Sequence, residues 1–154
     1  MKNKIIKHFI FFFFLLSCGY TPILTQKELP FKIDAIKVVG NKKVNSIISK
    51  KLNNLENKNK ELKKSFDIVL ESNLSKVTIS KDSKGDPLIF EIQLITDLKI
   101  SNEEENINLG KKITKKISYN NLTDKFELKR YEDTLIENLS INIGDRIISI
   151  LSNL

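Results

Sequence analysis

The sequence has very few of the residues on which catalytic and metal chemistry depends. Its 154 residues include one Cys, one His, one Met and no Trp. The histidine is His8 and the cysteine is Cys18, so both lie near the N-terminus. Zinc sites need Cys or His in most cases, and Ser-His-Asp and Cys-His catalysis need an imidazole. We therefore expect a protein that is not an enzyme, with no catalytic residue, no metal site and no cofactor.

Arginine is also scarce, and this bears on nucleic-acid binding. Of the 26 basic residues only Arg130 and Arg146 are arginines, and the rest are lysines. Nucleic-acid interfaces are better indicated by arginines and aromatic residues interleaved in a basic stripe. We expect no nucleic-acid partner.

Two other features could carry ligand chemistry, and each has a simpler interpretation. Glu103, Glu104 and Glu105 lie in a polar run that is typical of a solvated hairpin tip. Gly40 and Asn41 could offer backbone amides to an anion, but a turn in which Asn41 caps a helix is favoured. The size and composition fit one domain, with 40% hydrophobic and 29% charged residues.

The first seventeen residues have the pattern of a secretion signal. Lys2, Lys4 and Lys7 precede an uncharged apolar run at residues 9–16. This run is much shorter than the roughly 20 residues that a membrane-spanning helix needs. We predict a signal peptide over residues 1–17.

Cys18 stands where such a signal would be cut. It follows Leu15, Leu16 and the small residue Ser17, which resembles the bacterial lipobox. A stray or buried cysteine is the alternative. Acyl chains on Cys18 would each contribute about 0.8 kcal/mol of membrane binding per buried methylene. We predict lipidation at Cys18, an acylated tether over residues 18–30, and a folded domain over residues 31–154.

The first half of the domain alternates between two hydrophobic periods. Residues 33–39 form a β-branched run that predicts a strand, and Val44, Ile48 and Leu52 then recur at helical spacing. From Phe66 onward the period changes to two. We expect a second strand with a bulge between Leu74 and Val77, because the apolar residues change phase there.

The second half predicts two further strands and a long helix. A turn over residues 81–87 precedes a strand whose apolar residues share the even-numbered positions, and a fourth strand places its apolar residues at odd positions. Helical spacing then runs from Leu128 to Leu154. The order β-α-β-β-β-α favours an α+β two-layer sandwich: a four-stranded, mostly antiparallel sheet with both helices on one face and the other face open.

At both ends the residues resemble the LptE family of LPS-assembly lipoproteins. Residues 18–24, Cys-Gly-Tyr-Thr-Pro-Ile-Leu, are similar to the acylated start of that family, which often begins Cys-Gly-aromatic-x-Pro. The segment Ile-Ser-Tyr-Asn-Asn at residues 117–121 and the long helix after it are similar to the family's last strand and helix.

The resemblance implies a role and partners. Members of the family sit inside the LptD β-barrel of the outer membrane, assist its assembly and help lipopolysaccharide reach the cell surface. It implies an outer-membrane location facing the periplasm, and Gly19 after the acylated cysteine agrees with that sorting. Many relatives have an arginine near the turn between the second and third strands, where this chain has Lys81 and Lys84.

Lipopolysaccharide phosphates attract cations, and three lysines are candidate contacts: Lys84 in that turn, with Lys112 and Lys116 on the open face of the fourth strand. Solvated lysines in a lysine-rich chain are the alternative interpretation.

Two other functions compete with the LptE role. One is an accessory lipoprotein of another envelope complex for barrel assembly or lipid transport, and the other is a lipid-anchored hydrolase, which the missing histidine and thiol disfavour.

Overall fold

The computed structural model describes residues 31–54 and 64–154. The elements are β1 (Phe31–Gly40), α1 (Lys42–Asn53), β2 (Lys64–Lys81), β3 (Pro87–Asn102), β4 (Ile107–Asn120) and α2 (Lys125–Leu151). The predicted order β-α-β-β-β-α is confirmed. The predicted signal peptide (residues 1–17), Cys18 and the tether over residues 18–30 lie outside the described residues.

The four strands form one mixed sheet in the order β1-β2-β3-β4. Strand β1 pairs parallel to β2, and the β2–β3 and β3–β4 pairs are antiparallel. Helix α1 joins the parallel pair, since parallel neighbours need a crossover connection. The two antiparallel pairs are joined by short turns, so the sheet is mostly antiparallel, as the sequence predicted.

The connection from β1 to α1 is fixed by backbone contacts. Gly40 has a φ of +92°, and a Cβ built there would lie 2.2 Å from the carbonyl oxygen of Ser72. The Asn41 amide donates a hydrogen bond to that same oxygen at 2.8 Å. The Asn41 side chain then accepts a hydrogen bond from the Val44 amide at 3.1 Å. The predicted cap is confirmed, and the turn can accommodate only a glycine without displacement.

One face of the sheet packs against both helices. Alternate residues of β2 and β3 point to this helix-covered face, and the apolar stripes of α1 and α2 meet them. The main buried residues are Phe66, Ile68 and Leu70 of β2; Ile92, Leu94, Leu98 and Ile100 of β3; Val44, Ile48 and Leu52 of α1; and Leu128, Leu135, Leu139, Ile143, Ile147 and Leu151 of α2.

The two helices approach each other closely. Gly144 of α2 is buried, and a Cβ at this position would lie 2.9 Å from Cδ of Lys51 in α1. Lys51 also forms an ion pair with Asp145 at 2.7 Å. The glycine in α2 therefore allows tight packing of the helices.

A further contact joins the helices at Asp133 of α2, which accepts hydrogen bonds from Lys129 of α2 and Lys43 of α1. These hydrogen bonds hold the pKa of the Asp133 carboxyl below its usual range.

The predicted bulge in β2 is at the wrong position. Pairing with β3 is regular from Asp67 to Thr78, and the register shifts only between Thr78 and Ser80 and again before Lys81. Val77 and Ile79 consequently point to the open face, where their side chains are 47% and 51% exposed. The phase change in the sequence reflects apolar residues that move to the other face of a continuous strand.

Candidate anion-binding surfaces

Lys84 lies at the tip of the β2–β3 hairpin. Its amide donates a hydrogen bond to Oδ1 of Asp82 at 2.9 Å, and the Asp86 amide donates to the same oxygen at 2.8 Å. Gly85 adopts a φ of +90°, which a tight turn requires here. The Lys84 side chain is exposed and has no ion-pair partner within the described ranges. The turn therefore holds this cation out in solvent.

Lys112 and Lys116 lie on the open face of β4, as predicted, but each faces a carboxylate. Nζ of Lys112 lies 3.6 Å from Oδ1 of Asp97, its cross-strand neighbour on β3. Nζ of Lys116 lies 3.4 Å from Oε1 of Glu91. Such pairs partly neutralise both lysines, so the β3–β4 part of the open face is a polar surface of mixed charge. The two lysines share one face, whereas Lys84 lies beyond the end of β4 on the hairpin tip.

Exposed apolar residues gather near the same end of the molecule as Lys84. Leu88 follows the hairpin turn and is 47% exposed, and Phe126 in the first turn of α2 is 70% exposed. Val77 and Ile79 lie on the adjoining part of β2. This end therefore combines apolar side chains with the exposed Lys84 cation.

Lys111 and Arg146 are two further cations that the sequence did not single out. The alternation in β4 places Lys111 on the helix-covered side, where Leu98 is its partner in the register. Arg146 lies one turn before the last turn of α2, and both side chains line one groove. The signal for Lys111 was present in the sequence, because it occupies an odd position within the apolar series of β4.

The described residues offer neither a metal-binding cluster nor a membrane-spanning helix. Among residues 31–54 and 64–154, no group of three or more His, Cys, Asp or Glu side chains could hold a metal ion. Over the same ranges, neither helix is long and apolar enough to cross a membrane.

Comparison with solved structures identifies the fold. The rare lipoprotein B from Shewanella oneidensis aligns with 78% of this chain and 95% of its own length, at a TM-score of 0.60 and 14% identity. The uncharacterized lipoprotein B from Nitrosomonas europaea aligns at a TM-score of 0.56 and 16% identity, covering 78% of this chain and 81% of its own. This chain shares their fold.

A third solved structure agrees with these two. The minor lipoprotein from Acinetobacter baumannii covers 79% of this chain and 92% of its own, with a TM-score of 0.53 and 13% identity. No protein-family model matches the sequence, and no curated protein matches it. The likeness is therefore one of fold, and it extends over nearly the whole length of these lipoproteins.

Proposed function

We propose that this protein is an outer-membrane lipoprotein of the LptE kind, which occupies an LptD-like β-barrel, assists its assembly and supports lipopolysaccharide transport to the outer leaflet. The observation that carries the proposal is the presence of two independent features in one chain. The sequence has the pattern of a lipoprotein signal over residues 1–17 followed by Cys18, and the domain after it has the fold of proteins named as lipoproteins.

The open face of the sheet supports a position inside a barrel. Large membrane barrels have a polar interior, so a protein that fills one needs a polar surface rather than an apolar one. The part of the open face formed by β3 and β4 meets this need, because Lys112 and Lys116 pair there with Asp97 and Glu91. The exposed Val77 and Ile79 place an apolar part of this face at the end of β2. The hydrophobic core lies on the helix-covered face of the sheet, so the charged pairs lie on the opposite face.

The hairpin tip supports contact with lipopolysaccharide. Lys84 is an exposed ammonium without an ion-pair partner among the described residues, at an end of the domain where Leu88, Val77 and Ile79 are also exposed. Lipopolysaccharide offers phosphates beside acyl chains, and this mixture of one cation and apolar side chains matches that chemistry. Lysine gives a compact charge without the bidentate fork of arginine, so each contact should be modest and sensitive to salt.

The proposal is tested by co-purification from the native host. The full-length chain with a C-terminal affinity tag is expressed there, outer membranes are solubilised in mild detergent, and the bound proteins are identified by mass spectrometry. We expect a stable complex with one large β-barrel protein. A second tagged lipoprotein with an unrelated domain serves as the control for carry-over of abundant barrels.

The competing envelope role gives a different result in the same experiment. Recovery of a barrel-assembly complex or of an inner-membrane lipid transporter, without a large barrel partner, would overturn the LptE assignment and support the accessory-lipoprotein role. Recovery of no partner at all, from membranes in which the control lipoprotein retains its own, would also overturn it.

A further inference from the structure

A groove lies between the helix-covered side of β4 and the C-terminal turns of α2. Leu109 and Lys111 form its wall on β4, and Arg146, Ile150 and Leu154 contribute from the helix side. Its volume is about 360 Å³. This is within the range of about 300 to 1,000 Å³ that small-molecule pockets occupy. The groove is therefore large enough for part of a small ligand.

The groove contains two cations that no Asp or Glu side chain of the described residues neutralises. Neither Lys111 nor Arg146 has an ion-pair partner in the part of the chain that the structure describes. On the same strand, Lys112 and Lys116 are both paired. Lys111, the residue just before Lys112, thus lies on the other face of β4 and, unlike Lys112, has no Asp or Glu side chain beside it in the described ranges.

The end of α2 opposes this positive charge only weakly. A helix C-terminus carries about half a negative charge, spread over its last carbonyl groups. Here the Ser152 amide and hydroxyl both donate to the Ile148 carbonyl at 2.9 Å, and Nδ2 of Asn153 donates to the Ser149 carbonyl at 2.6 Å. The Leu154 main-chain oxygen, at the same end of the groove, accepts a hydrogen bond from Nζ of Lys64 at 2.9 Å, so its negative charge is already paired. The two full charges at Lys111 and Arg146 outweigh what remains of the partial charge.

Besides the two cations, the groove is lined by three apolar residues and by the polar Ser149 and Asn153. Leu109, Ile150 and Leu154 are half-buried and pack against the core at this end of the sheet. Their exposed surface lies beside the two cationic side chains in one groove. A ligand that suits the groove needs an anionic group at one end and a hydrocarbon segment at the other.

We propose that this groove binds one single-chain anionic amphiphile, with its phosphate or carboxylate between Lys111 and Arg146 and its acyl chain against Leu109, Ile150 and Leu154. The guanidinium of Arg146 can bind such a group through two parallel hydrogen bonds, and Lys111 adds a second charge. This site is separate from Lys84, Lys112 and Lys116, and it needs no barrel partner.

The test uses the full acylated protein in nanodiscs of zwitterionic phosphatidylcholine. Octyl phosphate is the probe, and its binding is measured by equilibrium dialysis against empty nanodiscs. Lys111→Gln and Arg146→Gln should each weaken binding roughly tenfold, because a hydrogen bond to a charged group is lost. The double variant should bind no more than empty nanodiscs.

Two matched variants control for charge alone. Lys115→Gln removes a lysine from the same side of β4, four residues along, and Arg130→Gln removes an arginine from the same helix, where it pairs with Glu127. Neither residue lines the groove, so both variants should bind octyl phosphate as the parent does. Equal weakening in all four single variants would overturn the proposal, since net charge would then explain the binding.

The chemistry of the ligand is tested with related probes. Octanoate and octyl phosphate should both bind, and the tighter of the two identifies a carboxylate or a phosphate as the preferred group. Inorganic phosphate binding as tightly as octyl phosphate would overturn the acyl-chain contact, and octyl glucoside binding as tightly would overturn the anionic one. Circular dichroism melting curves of every variant should match the parent, because all four positions are exposed.

Discussion

The Tyr119 hydroxyl donates a hydrogen bond to Oε1 of Glu132 at 2.8 Å and thereby ties β4 to the N-terminal part of α2. The same carboxylate oxygen accepts a hydrogen bond from Nζ of Lys76 on β2. That ammonium also lies 3.9 Å from the ring centroid of Phe90. One carboxylate, only 13% exposed in its side chain, therefore joins two strands and a helix.

The first prediction concerns this hydrogen bond at neutral pH. Tyr119→Phe removes the hydroxyl but keeps the ring, so it should lower the free energy of unfolding by about 1.5 to 3 kcal/mol, as expected for a hydrogen bond to a charged group. Urea titration of the full-length protein measures the change. Tyr131→Phe is the control, because the Tyr131 ring contacts Tyr119 but its hydroxyl has no hydrogen-bond partner within the described ranges. An equal loss in both variants would contradict the assignment.

The second prediction concerns alkaline pH. Burial raises the pKa of Tyr119 above its usual range, and the Glu132 carboxylate raises it further. The folded protein thus keeps the phenolic proton when an unfolded chain loses it near pH 10. Stability should be unaffected below about pH 10 and fall as the pH rises above it. Thermal melting between pH 8 and 11 measures this, and in Tyr119→Phe the fall should be visibly shallower.

The third prediction concerns the packing of α2. Leu139 is 6% exposed within the core, so Leu139→Ala should lower the free energy of unfolding by about 2 to 5 kcal/mol through lost burial and a residual cavity. Its neighbour Asn138 is exposed, and Asn138→Ala should change stability by no more than about 0.5 kcal/mol. An unchanged urea midpoint for Leu139→Ala would show that the apolar stripe of α2 had been misassigned.

Much of this fold could be predicted from local sequence pattern. The period-two runs in β3 and β4 and the helical spacing after Leu128 give both the elements and the faces they bury. The bulge in β2 could not be located, because an apolar residue on the open face and a change of register produce the same sequence signal. Val77 and Ile79 are exposed there because both helices cover the opposite face.

The cations show a second limit of sequence pattern. Alternation correctly placed Lys112 and Lys116 on the open face, but their pairing with Asp97 and Glu91 depends on the register between β3 and β4. The groove formed with Arg146 depends on how α2 crosses the sheet, and the local sequence does not specify that crossing. The hydrophobic period of a strand predicts which face each side chain is on. Ion pairs between strands and grooves between elements depend on tertiary packing.

The fourth prediction compares two glycines with positive φ. Gly85 lies in the hairpin turn with no atom near a built Cβ, so Gly85→Ala should cost only the left-handed backbone strain, about 1 to 2 kcal/mol. Gly40→Ala adds a clash with the Ser72 carbonyl and should cost about 1 to 3 kcal/mol more. Equal urea midpoints for the two variants would contradict the close approach of β1 to β2 at Gly40.

The fifth prediction concerns contact with membrane lipid, first through the anchor at Cys18 and then through the hairpin tip. Cys18→Ala should leave the signal uncleaved and move the protein away from the outer membrane, as shown by intact-mass spectrometry and membrane fractionation. Ser17→Ala keeps a small residue before the cysteine and should still be processed and acylated. A parent protein without acyl mass at Cys18 would refute the lipoprotein assignment.

In the correctly anchored protein, changing Lys84, Lys112 and Lys116 together to Ser should weaken lipopolysaccharide binding at low ionic strength. Lys84→Ser alone should account for most of that loss, because Lys112 and Lys116 are already partly neutralised by carboxylates while Lys84 faces solvent. Added salt should reduce the difference between parent and variants, since exposed charges are screened within about 10 Å at 0.1 M ionic strength. If instead Lys84→Ser binds as the parent does and the Lys112, Lys116 pair carries the loss, lipopolysaccharide contacts the open sheet face, and the ion pairs there open to receive it.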